Sequence, residues 1–171
     1  MNKIVFEKLT SVELPSKAHT TDAGIDFYIP SNLEYVVKNG KNINVGLYTR
    51  KMEPTSNVIT STAIEIKPYE SCLIPMGIKC QFEKGNALVF FNRSGVATKK
   101  HLLRGACVID SSYRGEIFVN MNNVSSNTQY LLPGEKLIQA MLLPVPEIEI
   151  VEGKVDTNTD RGEGGFGSSD K

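Results

Sequence analysis

Gly105–Asn122 reads GACVIDSSYRGEIFVNMN. It opens on small and apolar residues, places one acid at Asp110, turns through Ser111-Ser112 and leaves as an alternating strand. Ile117, Val119 and Met121 fall on one face and Glu116, Phe118 and Asn120 on the other, the period of a half-buried strand. The pattern predicts a β-hairpin. Asp110 follows Val108-Ile109 directly and Tyr113 stands just past the turn, so a carboxylate and a ring are expected to share one apolar notch. Alone, Asp-Ser-Ser is an ordinary capped turn. Chemistry has to come from other stretches.

Those stretches read almost entirely as strand and turn. Ile4–Leu9 is a short strand and Leu14–Thr21 a polar connector. Ile25, Phe27 and Ile29 alternate after Gly24, whose lack of a side chain permits a close backbone approach. Asn32–Thr62 is Asn-, Lys-, Thr- and Val-rich. Asn39-Gly40 is a hairpin turn signal there, flanked by Val36-Val37 and Ile43–Tyr48. Val58–Ile66 is strand, Lys67–Glu70 turn, Ser71–Phe82 strand, Lys84–Asn86 turn and Ala87–Phe91 strand. Gln129–Leu132 and Lys136–Leu143 are strands around Pro133-Gly134-Glu135. One helix is expected over Asn92–Lys100, with Ser94 as N-cap and Lys99-Lys100 at the end where the dipole favours cations.

With 171 residues the chain has enough length for one well-buried domain. Lysine plus arginine and aspartate plus glutamate balance at 19 each. A neutral chain lacks the excess cation that grips nucleic acid broadly, so no direct nucleic-acid binding is expected. No apolar run approaches the ~20 residues of a membrane helix, and the N-terminus alternates like a strand instead of forming a signal-peptide core. A soluble, cytoplasmic protein is expected. Cys72, Cys80 and Cys107 lack metal or disulfide spacing and read as free thiols. His19 and His101 are the only histidines, too little for a His-based metal site or catalytic triad.

Several polar residues are candidates for a site, each with a plain structural alternative. Arg93, Ser94 and Gly95 at a helix start could hold an anion, or form an ordinary capped turn. Gln139 is a lone amide in an apolar run and needs a hydrogen-bond partner, on a neighbouring strand or on a ligand. Asp26 could satisfy backbone N–H groups at a strand end. The Gly-rich tail from Asp156 cannot fold alone. Its glycine frame, carrying Arg161 and Phe166, could wrap phosphates or simply fray.

Taken together, five stretches resemble, in order, the five motifs of the trimeric dUTPases. They are Ala23–Asp26, Arg93–Ala97, Gly105–Gly115, Pro133–Gln139 and the Arg161–Ser169 arm. The resemblance implies an all-β, jelly-roll-like distorted barrel with one short helix, assembled as a homotrimer with a flexible Gly-rich C-terminal arm. Residues 1–155 would form the barrel, with 32–62 an inserted β-hairpin excursion, and 156–171 the arm. It implies hydrolysis of dUTP to dUMP and diphosphate, limiting uracil incorporation into DNA and supplying dUMP for thymidylate synthesis. Mg²⁺ would be bound mainly through the triphosphate, and sites would be shared between chains.

The resemblance also implies roles by position. Asp110 would activate the water that attacks the α-phosphorus in line, and Tyr113 would pack on the deoxyribose. Gly105, Cys107, Val108 and Ile109 would read uracil through the backbone. Arg93, Ser94 and Gly95 would bind the phosphates, and Gln139 the phosphate region or its water. Arg161 would pair with the γ-phosphate, Phe166 cover the base, and Gly167-Ser168 wrap the phosphates. Asp26 would act near the metal, through water at most. Cys107 and Ser112 depart from the family pattern. The 32–62 segment is longer than the family's loop, and a protein partner is one reading of it. Two other functions fit less of the chain. A dCTP deaminase, similar in fold, would need a catalytic Glu, for which Glu116 is the nearest candidate. A regulatory binding protein would use the nucleotide-bound state as a switch.

Overall fold

The computed structural model describes residues 3–51 and 58–164. The elements are β1 (Ile4–Lys8), β2 (Ile25–Tyr28), β3 (Tyr35–Lys38), β4 (Lys41–Asn44), β5 (Gly46–Lys51), β6 (Val58–Ile66), β7 (Ser71–Pro75), β8 (Ile78–Phe82), β9 (Asn86–Asn92), α1 (Ser94–Lys99), β10 (Leu102–Arg104), β11 (Val108–Asp110), β12 (Phe118–Asn123), β13 (Gln129–Leu131) and β14 (Lys136–Pro144). They build antiparallel sheets ordered β10-β12-β7-β3-β4, β11-β9-β14-β2 and β13-β6-β5, with β1-β8 as a separate pair. This is the expected all-β jelly roll with one short helix. Among the described residues no helix is long and apolar enough to cross a membrane.

Alternation puts one face of each sheet inward. Phe27 packs edge-on against Phe6 and Phe90, with ring centroids 5.8 and 5.1 Å apart. Ile74, Val119, Met121, Leu88, Ile138 and Ala140 are buried around them. Cys72 and Cys80 are free thiols in this core, and burial pushes both up, Cys72 to about 12, so neither is a reactive thiolate.

Four expectations need correction. The Gly105–Asn122 stretch does not close on itself as a hairpin. Its first limb, β11, pairs with β9, while β12 pairs with β10 and β7. The Phe90 N–H donates to the Cys107 carbonyl and Gly105 N–H to that of Asn120, so the chain changes sheets between these residues. Alternation reports which face is buried but not which strand is the partner. Ser71–Phe82 is likewise two strands, because Gly77 turns the chain at φ +64°. Ser94 is not the N-cap: Arg93 is, without a side-chain cap bond, and the Ser94 carbonyl accepts from Thr98 Oγ1.

Fourth, 32–62 is not one excursion. The β3–β4 hairpin turns on Asn39 and Gly40, both at positive φ, and joins the main sheet through Val37 opposite Leu73. Val36 is buried in the core. Lys38 Nζ donates to Glu65 O and Glu70 Oε2, tying this hairpin down. The β5–β6 ribbon belongs to another sheet, beside β13, with Gly46 opposite Ala63 and Lys51 opposite Val58. Toward the other terminus regular structure among the described residues ends at Pro144, and Ile148, Ile150, Val151 and Val155 are exposed. Residues 145–155, counted with the barrel in the sequence reading, lie outside its strands.

Candidate active site

The outer face of the β11-β9-β14-β2 sheet carries most of the expected chemistry. Register sets the rows across it: Phe91 lies opposite Gln139, and Gln139 opposite Asp26. Arg93 follows β9 with extended backbone (φ −81°, ψ 132°), so it continues the alternation of Val89 and Phe91 onto this face. Asp26, Arg93 and Gln139 frame a cleft of about 680 Å³, lined also by Ser94, Gly95, Lys99, Lys100, Glu135 and Lys136.

Asp26 is the hub of the cleft. It is buried, its Oδ1 accepts from Arg93 Nε at 2.8 Å, and its Oδ2 pairs with Lys136 Nζ at 2.9 Å. Arg93 Nη1 also donates to the Lys136 carbonyl at 3.1 Å. One carboxylate therefore holds two cations on adjacent strands. The bond from Asp26 pushes the Lys136 ammonium up. The backbone N–H groups expected as partners of the Asp26 side chain are replaced by these cations.

Gln139 has its partner on the neighbouring strand: Nε2 donates to Asn92 O at 2.9 Å. Its Oε1 lies against Gly24, where an added Cβ would overlap it. The close approach expected at Gly24 is thus an approach of the Gln139 side chain. Lys100 at the end of α1 pairs with Glu135 at 2.7 Å and so joins the helix to the Pro133–Glu135 turn. Sequence reading missed Lys136 and Lys100 as partners. Lys136 lies inside a quoted motif, but a pair across distant strands leaves no periodic trace.

The second group of expected residues sits elsewhere. Asp110 is exposed at the end of β11, opposite Ala87, and among the described residues its carboxylate has no partner. The Tyr113 N–H donates to the Asp110 carbonyl at 3.0 Å, closing the turn. Arg114 Nη1 locks it by donating to Ser111 O and Tyr113 O. The Tyr113 hydroxyl donates to Glu116 O at 2.8 Å, and its ring lies over Gly115, where a Cβ would meet Cζ at 2.6 Å. Glu116 Oε1 accepts from Gly77 N–H at 2.9 Å, a structural use of the acid a deaminase would need. At Gly105 a Cβ would meet Asn120 Cγ at 2.9 Å, so the Asn120 amide packs where a side chain would stand. Cys107 and Ile109 are half-buried and Val108 exposed.

Within one chain Asp110 and Arg93 do not meet. Six residue steps along β9 and its continuation lead from Ala87 to Arg93, roughly 20 Å at ~3.3 Å per residue. Arg161 is exposed and donates to Gly164 O at 2.8 Å. Phe166, Gly167 and Ser168 lie outside the described residues.

The dUTPase family model matches residues 56–170. The deoxyuridine 5′-triphosphate nucleotidohydrolase of Hydrogenobaculum sp. is 38% identical over 108 residues, covering 62% of this chain and 75% of that one. The Fusobacterium nucleatum protein of the same name is 34% identical over 122 residues, covering 70% and 82%. In fold, the chain is similar to the Staphylococcus bacteriophage 80alpha dUTPase, with TM-score 0.71, 21% identity and 99% of each chain covered. It is also similar to the dUTPase from phage phi11 of S. aureus, with TM-score 0.67, 18% identity and coverage of 92% and 100%. The ordered motifs, the barrel and a family match spanning most of the sequence agree: the chain belongs to the dUTPase family.

Proposed function

We propose that the chain is a dUTP diphosphatase, converting dUTP to dUMP and diphosphate at sites assembled between copies in a homotrimer. The observation that carries this reading is the Arg93–Gln139 cleft on a chain of this family. Solved relatives support the ligand: the 80alpha enzyme has been determined with dUpNHpp.

Arg93, fixed by Asp26, turns its free donors to the phosphates, beside Ser94 and Gly95 at the start of α1. Asp110 accepts a proton from water as the water oxygen bonds to the α-phosphorus. The bond from that phosphorus to the bridging oxygen breaks, and diphosphate leaves with the electron pair. Such displacement demands positioning and charge neutralisation more than covalent help. Gln139 Oε1 orients the water or the α-phosphate. Tyr113 packs on the deoxyribose, and the backbone of Gly105–Ile109 reads the base.

The residues fit a Mg²⁺ carried in by the triphosphate. Among the described residues no three His, Cys, Asp or Glu cluster as a cage, and both Asp26 oxygens already contact cations. Magnesium suits that arrangement, since it keeps waters and takes substrate phosphates as ligands. Asp26 would reach it through water at most, and when bound it would neutralise phosphate charge.

The separation of Asp110 from Arg93 supports a shared site. The face between them exposes Val108 and half-buries Val89, Met141 and Leu143, an apolar surface suited to another copy. The tail after Pro144, with Arg161, Phe166 and Gly167-Ser168, closes over a neighbour's site as a lid. The β5–β6 ribbon, which contributes no residue to the lining of the cleft, is the surface we assign to a protein partner, and the cytoplasm is the compartment we assign.

Incubating the protein with each nucleoside triphosphate and Mg²⁺ in ¹⁸O-labelled water tests the reading. dUTP should be cleaved in preference to dTTP, dCTP and UTP, with the label in dUMP. Label in diphosphate, or no preference for dUTP, would overturn it.

A further inference from the structure

Arg104, the last residue of β10, belongs to none of the roles above. Its guanidinium carbon lies 5.7 Å from the centre of the Phe91 ring. Its backbone N–H donates to Asn92 Oδ1 at 2.8 Å, which pins the end of β10 against β9. Arg104 therefore stands beside the row formed by Phe91, Gln139 and Asp26. Arg93 is two residues beyond Phe91 on the same face, ~7 Å along the strand. A hollow of about 470 Å³ lies between Arg104 and Gln139. It runs into the Arg93 cleft, because Ala23, Gly24 and Gln139 line both.

Arg104 is half-buried, yet its one side-chain hydrogen bond is a 3.4 Å contact from Nη1 to Gly105 O, at the weak limit. Among the described residues no carboxylate pairs with it, and Asp26 is already taken by Arg93 and Lys136. A cation drawn partly out of water with donors unfilled is costly unless an anion completes it. The Phe91 ring supports the guanidinium at the wall of the hollow, and the N–H donors of a guanidinium are arrayed along its edge. That edge matches an oxyanion with two acceptor oxygens in one plane, as a phosphate presents.

We infer that Arg104 is a second phosphate-binding arginine, gripping from the Gln139 side the same nucleotide that Arg93 holds. The inference rests on the function proposed above. Its consequence is substrate affinity: Arg104→Gln should weaken binding of dUpNHpp with Mg²⁺ by about ten- to a hundredfold, the scale of a lost charge-assisted hydrogen bond. Arg104→Lys should fall between, keeping the charge but not the planar fork.

Calorimetric titration of the parent and both variants, with sedimentation and melting on each, makes the test. Weaker binding by Arg104→Gln at parental assembly and melting temperature, with partial recovery in Arg104→Lys, is the expected result. Affinity within twofold of the parent would overturn the inference, as would loss of assembly in Arg104→Gln, which would make Arg104 a contact between copies. The parent's own turnover of dUTP separates the two readings. A parent inactive on dUTP removes the proposed function, whereas an active parent with an indifferent Arg104 removes only this inference.

Discussion

Asp110 and Arg93 stand at opposite ends of one strand ladder: Asp110 lies opposite Ala87 near the start of β9, and Arg93 directly follows its last residue, Asn92. The intervening backbone spans roughly 20 Å at ~3.3 Å per residue. A water-activating carboxylate and a phosphate-binding arginine cannot serve one phosphorus from that separation. Either they serve different sites, or another copy of the chain brings the missing half.

The Asp26 hub makes Arg93 dependent on a residue that need not touch substrate. Asp26→Asn removes the charge that holds two cations and leaves them facing each other. It should destabilise the protein by roughly 1–3 kcal/mol, below the ~3–5 kcal/mol of a fully buried pair because both cations are partly solvated. Nucleotide KM should rise with it, because Arg93 loses its fixed orientation. Denaturant melts and steady-state kinetics check both. Unchanged KM would show that Arg93 is held by something other than Asp26.

Gly24→Ala places a methyl group on Gln139 Oε1. The amide must swing away, giving up its bond to Asn92 or its place in the cleft. Turnover should fall at least tenfold while secondary structure by circular dichroism stays parental. Full activity would mean that the Gln139 position is not critical.

Acid should loosen the β3–β4 hairpin from the barrel. Burial pushes the Glu70 carboxyl up, but Lys38, with the Lys67 N–H and charge, outweighs it and holds Glu70 below the usual carboxylate range. A carboxyl with a depressed folded-state pKa stabilises fully above its unfolded pKa and loses that contribution as pH falls through the folded one. Protection of the β3–β4 amides from exchange should therefore be level at neutral pH and drop below the ordinary glutamate range. In Glu70→Gln that drop should be absent. The same acid response in the variant would assign it to another group.

The ribbon should be dispensable and the hairpin before it should not. Joining Tyr48 to Ser61, opposite one another in the β5–β6 register, through a two-residue Asn-Gly turn should leave dUTP turnover within a few-fold of the parent. Replacing Tyr35–Thr60 as a unit should instead unfold or aggregate the protein, since it removes Val36 from the core and Lys38 from Glu70. If the shorter ribbon abolishes turnover in a folded protein, the ribbon belongs to the active site.

Local features were legible in the sequence, and long-range partners were not. Val58–Ile66 was read as a strand to its ends, Asn39-Gly40 as a turn, and Val119 and Met121 as inward-facing, because each depends on neighbours a few residues away. The grouping of Arg93, Gln139 and Asp26 came from their motif order and not from periodicity. What escaped was pairing: β11 joins β9 instead of β12, and Lys136 reaches Asp26 across the bulged β2–β14 pair. The turn at Gly77 escaped because apolar residues continue through it on both sides. Arg104 carried no signal at all until the Phe91 ring was found beneath it.

Mixed trimers test the central claim most directly. Arg93→Ala and Asp110→Asn should each be nearly inactive alone. Denatured together, refolded and isolated as mixed trimers, they should regain dUTP turnover, because a site drawing Arg93 from the Asp110→Asn chain and Asp110 from the Arg93→Ala chain is intact. No recovery in verified mixed trimers would place both residues of each site on one chain and contradict the account.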